Sequence, residues 1–264
     1  MGSATREALA SAVAAFSTVE GANDLTCGEQ LLESGRIIGG SPPLRSALAD
    51  HSTGTAEKKG ILGALFSSYM PATLDLLGAI VAGRWSSAND LLAGIEEIGI
   101  RAIAASAPAQ PAIEAELYDF AQLVRSSSAL EFAIGSKLGS VESKAGIVDA
   151  LLAGKATPQT RAIVRHLVQQ PRDRRIGELL RFAISIVVDQ AGLALATVIS
   201  AKTLRPEQLD RLRRGLELRY GRGLRINQVT DPALIGGVRV EIGAEVIDGT
   251  VATKINNLRL QLAR

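Results

Sequence analysis

Cysteine, histidine and aromatic residues are scarce in this chain of 264 residues. The one cysteine, Cys27, excludes an intrachain disulfide and any zinc or iron–sulfur site built from several cysteines. The two histidines, His51 and His166, leave little for catalysis or metal binding, and we expect both to be ordinary surface or half-buried residues. Aromatic residues make up 3% of the chain, which argues against a nucleic-acid module that stacks bases.

Catalytic and nucleotide-binding motifs are also missing. The sequence has no Gly-x4-Gly-Lys phosphate loop, no His-Glu-x-x-His and no Gly-x-Ser-x-Gly. Gly221-Arg-Gly223 lacks the third glycine of a dinucleotide fingerprint, and we interpret it as a helix stop. Glu96, Glu97 and Asp248 have no partner carboxylate at a recognisable spacing, and helix carboxylates are usually exposed. We therefore predict no catalytic residue, no cofactor and no metal.

Charge is distributed unevenly along the chain. The formal net charge is +2, but residues 1–110 carry a net −4 and residues 111–264 a net +6. A basic half fits nucleic acid or an acidic partner, and it equally fits arginine-rich helix faces in solvent. One alternative function is therefore a helical nucleic-acid-binding or adaptor protein, and a second is a helical enzyme for a small molecule. The arginines that motivate the first alternative are Arg161, Arg165, Arg172, Arg174, Arg175 and Arg181.

The first 190 residues have the pattern of a helical protein, because Ala and Leu dominate and breakers recur at helix-length intervals. Thr55, Ser140 and Thr157 are candidate N-caps. The stretch Ile61–Gly83 is long enough for a membrane span, but its polar middle and Pro71 favour two helices with a break. The predicted helices are Thr5–Val19, Gly28–Gly39, Pro43–Asp50, Ala56–Ser67, Ala72–Arg84, Ser87–Ala105, Pro111–Ser126, Ala129–Ser136, Val141–Ala153, Pro158–Gln170 and Arg172–Gln190.

An internal repeat appears when the chain is shifted by 86 residues. Leu31 then aligns with Leu117, and Lys58-x-Gly-Ile aligns with Lys144-x-Gly-Ile. One inserted residue continues the alignment, so that residues 70–73 meet residues 157–160. We interpret the repeat as a duplicated four-helix segment, 29–105 and 113–190, joined by a linker at 106–111.

After residue 190 the pattern changes to that of a small α+β domain. Strands are predicted at Leu193–Ser200, Leu224–Thr230 and within Leu234–Ile242, with an amphipathic helix at Pro206–Tyr220. The segment 245–247 leads into a turn at Asp248 and Gly249, where Gly249 can adopt a positive φ. Thr250 caps a last helix that extends to Leu262. Gly236 and Gly237 at a strand entrance indicate a bulge or a close backbone approach.

The fold class is therefore mainly α, with duplicated N-terminal helical bundles followed by a small α+β C-terminal domain. The expected domains are 1–105, 106–190 and 191–264.

The C-terminal segment resembles a known family. The run Leu-Ile-Gly-Gly-Val-Arg-Val-Glu-Ile-Gly from Leu234 and the run Val-Ile-Asp-Gly-Thr-Val from Val246 are similar to the C-terminal signature of F-type ATP synthase delta subunits. The mitochondrial relative in this family is the oligomycin-sensitivity-conferring protein. Ser-Pro-Pro-Leu-Arg-Ser-Ala-Leu from Ser41 resembles the family's N-terminal bundle, and the duplication resembles the longer actinobacterial form.

The resemblance implies a non-catalytic stator subunit at the cytoplasmic face of the bacterial plasma membrane. Its expected partners are the N-terminal helices of the alpha subunits and the C-terminal end of the b subunit. We expect no contact with nucleic acid, and membrane contact only through the complex.

The resemblance also suggests where the partners bind. In the family an alpha helix docks between two bundle helices, and the matching residues here are Ala12, Phe16, Leu91, Leu92 and Ile95. The second copy lacks a first helix of its own in this alignment, so Leu179, Leu180 and Ile184 either line an open groove or pack against the first copy. The expected contacts with the b subunit are Leu258 and Leu262. Gly236, Gly237, Asp248 and Gly249 are expected to have structural roles.

Overall fold

The computed structural model describes residues 2–108, 112–136, 139–242 and 245–255. The chain divides into two compact units, Met1–Val187 and Val188–Arg264. The first unit is helical, and the second contains a four-stranded sheet with one long helix. This arrangement confirms the predicted mainly α fold class with a small α+β domain at the C-terminus.

The helices that precede the sheet agree closely with the predicted ones. Most ends differ from the prediction by one to three residues, but α11 begins four residues later than expected because Arg172 and Asp173 adopt positive φ angles of 46° and 59°. The helices are α1 (Ser3–Thr18), α2 (Leu25–Gly40), α3 (Pro42–Ala49), α4 (Thr55–Leu65), α5 (Pro71–Ala82), α6 (Ala88–Ala105), α7 (Ile113–Ser126), α8 (Ser128–Gly135), α9 (Val141–Leu152), α10 (Pro158–Gln169) and α11 (Ile176–Gln190).

Side-chain caps and prolines set several helix starts. Ser140 and Thr157 are N-caps as predicted, since their hydroxyls accept from the backbone N–H groups of Ser143 and Thr160. The prediction for Thr55 was wrong: Gly54 is the N-cap of α4 and Thr55 is its first helical residue. The break predicted within Ile61–Gly83 is confirmed, because α4 ends before α5 begins. None of the described helices is long and apolar enough to cross a membrane.

The repeat is visible in the order of the helices. The helices α2 to α6 and α7 to α11 follow one another in the same sequence of long and short elements, so each copy has five helices rather than the predicted four. Leu31 and Leu117 are both completely buried, and the aligned lysines Lys58 and Lys144 are both buried as well. Division of the first unit into two bundles stays a prediction, which these equivalences support.

The helix α6 contacts helices of both copies. It packs against α1, against α2, α3 and α5 of the first copy, and against α10 of the second. Because neighbours lie on several sides, every residue from Gly94 to Ile103 is buried, including three charged ones. Its approach to α2 is close: a Cβ added to Gly28 would lie 2.9 Å from the carbonyl oxygen of Gly99.

In the second unit the sheet order is β2-β1-β3-β4, with β1 at Ala194–Ser200, β2 at Leu224–Thr230, β3 at Val238–Ile242 and β4 at Glu245–Asp248. The strands β1 and β2 are parallel and are connected through α12 (Pro206–Tyr220), whereas β3 and β4 are antiparallel to their neighbours. Alternation along β1 directs Ala194, Ala196 and Val198 into a small core. The predicted helix stop is confirmed, since Gly221 caps α12 with a φ of 67°.

The turn prediction needs two corrections. Asp248 is the last residue of β4 rather than a turn residue, because it still pairs with Arg239 in the ladder. Gly249 does not have a positive φ; the left-handed residue is Gly237, with a φ of 83°.

Candidate partner-binding surfaces

The five residues predicted to contact an alpha helix lie in the core of the first unit. Ala12 and Phe16 of α1, and Leu91, Leu92 and Ile95 of α6, are at most 5% exposed. They belong to one apolar cluster to which α1 and the helices of the first copy contribute. These five side chains therefore lie inside the first unit, beneath the side chains that face solvent.

The accessible apolar residues of this region are neighbours of the predicted ones. Leu9 and Val13 of α1 and Leu74 of α5 are half-buried and pack against the same core. The sequence analysis missed them because it selected Ala12 and Phe16, which lie on the side of α1 that faces the core. The signal that would have found them is the Leu9–Val13 spacing of four residues on an adjacent stripe.

The three residues of the second copy that were considered for an open groove are buried. Leu179, Leu180 and Ile184 of α11 are at most 4% exposed. Leu179 nevertheless lines a cavity of about 690 Å³ together with Phe132 and Ile176, so an open groove at this helix stays a prediction. The second copy contacts the first through α10, which packs against α2 and α6.

A buried ionic cluster lies where the two copies meet. It is built around the carboxylate of Glu96 on α6, which was expected to be exposed and is 3% exposed. Arg174 Nη2 donates to Glu96 Oε2 at 2.7 Å, and Arg172 donates to the same oxygen. His166 Nε2 lies 3.3 Å from Glu96 Oε1. We name Glu96, His166, Arg172 and Arg174 the Glu96 cluster.

One tautomer of His166 satisfies its two neighbours. Arg36 Nη1 of α2 lies 3.2 Å from His166 Nδ1, and an arginine can only donate. Nδ1 therefore accepts, and the proton is on Nε2, which donates to Glu96. His166 is 2% exposed, so the expectation of a surface or half-buried histidine was wrong for it, whereas His51 is exposed.

Burial and charge determine the protonation of the cluster. Burial by itself raises the pKa of Glu96, but the hydrogen bond with His166 and the charges of Arg172 and Arg174 outweigh it, so this pKa lies below its ordinary value. Burial lowers the pKa of His166, and with the charges of Arg36 and Arg172 it outweighs Glu96, which acts in the opposite direction. At neutral pH the cluster therefore contains an ionised Glu96 and a neutral His166.

Three of the six arginines behind the nucleic-acid alternative are paired with carboxylates. Arg172 and Arg174 bind Glu96, and Arg165 lies 3.2 Å from Asp149. The other three, Arg161, Arg175 and Arg181, are exposed. The basic surface is thus smaller than the sequence indicates, because part of its charge serves contacts within the fold.

The residues predicted to contact the b subunit, Leu258 and Leu262, lie outside the described residues. The helical segment that precedes them, 251–255, presents Val251 at 38% exposure and Ile255 at 46%. Ile235 in the preceding loop is 82% exposed. Ile235 was not singled out from the sequence, whereas Val251 and Ile255 belong to the apolar positions 251, 255, 258 and 262 that have helical spacing in the sequence.

The predicted structural motif fixes the start of this helical segment. A Cβ on Gly237 would lie 2.5 Å from the carbonyl oxygen of Gly249, so the close backbone approach expected for the paired glycines is confirmed. Asp248 Oδ1 accepts from the N–H of Thr250 at 2.9 Å, and Val251 N donates to the carbonyl oxygen of Gly236 at 3.0 Å. The turn therefore holds the exposed side chain of Val251 in a defined place.

Comparison with known proteins gives matches over the full length. A family model described as ATP synthase delta (OSCP) subunit matches residues 101–262. The chain is 45% identical over 263 residues to ATP synthase subunit delta of Leifsonia xyli subsp. xyli, which covers 100% of both chains. It is 33% identical over 250 residues to the same subunit of Kineococcus radiotolerans, with 93% of this chain and 91% of that one covered. It is 34% identical over 240 residues to the same subunit of Salinispora arenicola, with 89% of this chain and 88% of that one covered.

These matches identify a non-catalytic subunit of an ATP synthase. The chain belongs to the ATP synthase delta (OSCP) subunit family, and its role is that of a stator component of the peripheral stalk. The matched residues 101–262 comprise the end of α6, the second copy and the C-terminal unit.

Proposed function

We propose that this chain connects the N-terminal helices of the alpha subunits to the C-terminal end of the b subunit, at the cytoplasmic face of the plasma membrane. Each partner would bind one of the two compact units, Met1–Val187 and Val188–Arg264. A stator needs separate attachment points on the head and on the stalk, and two units with their own cores provide them. Family membership supports the assembly, whereas the two contacts are our proposal.

The alpha site would lie on the outer surface of α1 and α5. Ala12, Phe16, Leu91, Leu92 and Ile95 would form its floor. The half-buried Leu9, Val13 and Leu74 above this core would provide the apolar contacts, since an amphipathic helix binds a groove through apolar residues three and four positions apart.

The b site would lie on the last helical segment, and the observation that carries it is the exposure of Val251 and Ile255. In the sequence, Leu258 and Leu262 continue the helical spacing of these two residues. An apolar stripe left in solvent is costly unless a partner covers it.

Calorimetry of the full chain with two synthetic peptides tests the proposal. One peptide is the N-terminal helix of the alpha subunit, and the other is the C-terminal segment of the b subunit of the same organism. We expect both to bind, each in the presence of the other, because the two sites are on different units. If neither peptide binds folded protein, the two contacts are wrong.

Matched variants assign each site. Ile255→Asp should weaken the b peptide alone, whereas Ala252→Asp, an exposed change one residue after Val251 and therefore off the apolar stripe, should not. Val13→Asp should weaken the alpha peptide alone, with the exposed Ala14→Asp as its control. Misfolding of one unit would also remove one peptide alone, so circular dichroism and the unfolding midpoint of each variant must match those of the unaltered chain. Equal effects of a variant and its control would contradict the site.

A further inference from the structure

A polar cleft beside the Glu96 cluster has no role in the contacts proposed above. It has a volume of about 500 Å³ and lies among α3, the start of α6 and the loop between α10 and α11. Its polar side chains include three arginines, two amides and one carboxylate. They are Arg45, Asn89, Gln170, Arg172, Asp173 and Arg174.

The arginines of this cleft keep donors that the fold does not use. Glu96 accepts from the Nη2 atoms of Arg172 and Arg174, which leaves their other N–H groups available for a second acceptor. Arg172 Nε is buried and has no hydrogen-bond partner among the described residues. Arg45 adds a third guanidinium group to the cleft, and Asp173 adds the one carboxylate among the polar side chains named above.

Backbone strain in the loop between α10 and α11 also indicates a functional role for this cleft. Arg172 and Asp173 are not glycines, yet both have the positive φ angles that side chains disfavour, and such strain is typically kept at functional positions. The strain turns the chain so that Arg172 and Arg174 lie against Glu96 and line the cleft together. Asn89, in the first turn of α6, lines the cleft with its amide side chain.

We propose that the cleft binds a phosphate group, either inorganic phosphate or the phosphoryl end of a nucleotide. Planar guanidinium groups match the oxygens of a phosphate with pairs of hydrogen bonds, and the three arginines outnumber the two carboxylates, Glu96 and Asp173, that lie beside them. Glu96 acts as the positioning residue, because it holds two of the arginines in place without touching the ligand. The site is independent of the two partner contacts.

Calorimetry of the full chain distinguishes the two sources of the group. Sodium phosphate and ATP are titrated separately, against sodium chloride at matched ionic strength. Saturable binding of one phosphate per chain would support free phosphate as the ligand, and saturable binding of ATP alone would support a nucleotide. No saturable binding of either, beyond the chloride control, would overturn the proposal.

Arg45→Gln tests the location, since Arg45 lines the cleft but does not contact Glu96. We expect at least a tenfold weaker affinity and an unchanged unfolding midpoint. The control is Arg181→Gln, an exposed arginine of α11 that does not line the cleft, and it should leave the affinity unchanged. Unchanged affinity in Arg45→Gln, or an equal loss in Arg181→Gln, would overturn the assignment.

Discussion

Gln30 and Glu116, which are 86 residues apart, hold the same helix start in the two copies. Gln30 Oε1 accepts from Met70 N at 2.9 Å and from Thr73 Oγ1 at 2.8 Å, and so binds the beginning of α5. Glu116 accepts from the N–H and the hydroxyl of Thr157 and from the hydroxyl of Thr160, at the beginning of α10. The one extra residue of the second copy lies between Glu116 and the start of α10, so the offset between the copies is 86 residues at the acceptors and 87 at the helix starts.

Removing these acceptors should destabilise the first unit to different extents. We expect Gln30→Ala to lower the free energy of unfolding by about 1 kcal/mol, because it loses neutral hydrogen bonds. Glu116→Ala should cost about 2 to 3 kcal/mol, since a carboxylate accepting several hydrogen bonds is the stronger partner. Urea unfolding followed by the fluorescence of Trp85, the one tryptophan of the chain, measures both.

The control for this pair is Glu29→Ala, an exposed residue next to Gln30 on α2. Its effect should stay within about 0.5 kcal/mol. Equal effects of Gln30→Ala and Glu29→Ala would show that Gln30 does not hold α5.

Glu96→Gln should be among the most destabilising single changes in the first unit. It leaves the charges of Arg172 and Arg174 next to a neutral amide in a buried place, and breaking a buried ion pair costs about 3 to 5 kcal/mol. The matched control is Asp149→Asn, which breaks the exposed pair with Arg165 and should cost at most about 1 kcal/mol. Similar urea midpoints for the two variants would contradict the role of the Glu96 cluster.

Local signals in the sequence account for most of the fold. Proline at the first helical turn and a hydroxyl residue before it mark the start of α10, and both act within a few residues. Such signals did not predict the late start of α11. Arg172 leaves the helical conformation to reach Glu96, which is 76 residues away in the sequence. A contact between residues so far apart in the sequence leaves no local sequence pattern from which it could be predicted.

The surfaces were harder to predict than the helices for a related reason. Apolar periodicity shows which side of α1 is apolar, but Ala12 in the core and Val13 beside it differ by one position. Which of them a partner can reach depends on how α5 and α6 pack against α1. Likewise, the burial of His166 was not predicted, because its partners Arg36 and Glu96 are on helices of the other copy.

Stability of the first unit should fall as the pH is lowered below about 6.5, the ordinary pKa of histidine. The folded pKa of His166 is lower, so below this pH the unfolded chain binds a proton that the folded chain does not, and acid favours unfolding. The folded pKa of Glu96 is also lowered, so its contribution is present above pH 4.5 and is lost as the pH falls through the folded value. Urea unfolding from pH 8 to pH 4, the range that spans about two units around the reference pKa of histidine, tests this.

His166→Gln should flatten the part of this profile that begins near pH 6.5 and leave the part due to carboxylates. His51→Gln is the control, because His51 is exposed in the loop before α4 and should leave the profile unchanged. A His166→Gln profile parallel to that of the wild type would mean that His166 does not titrate on unfolding.

Gly237→Ala should disrupt the turn that presents the last helical segment. Alanine at a φ of 83° is strained by about 1 to 2 kcal/mol, and its Cβ would lie 2.8 Å from Cα of Thr250 as well as against the Gly249 carbonyl. We expect a loss of about 2 kcal/mol or more in the second unit and faster hydrogen exchange at the Val251 amide, whose acceptor is Gly236. Gly215→Ala is the control: it lies in α12 with open space around it, and alanine there should stabilise by up to about 1 kcal/mol. Unchanged exchange at Val251 in Gly237→Ala would mean that the paired glycines do not position the segment proposed to bind the b subunit.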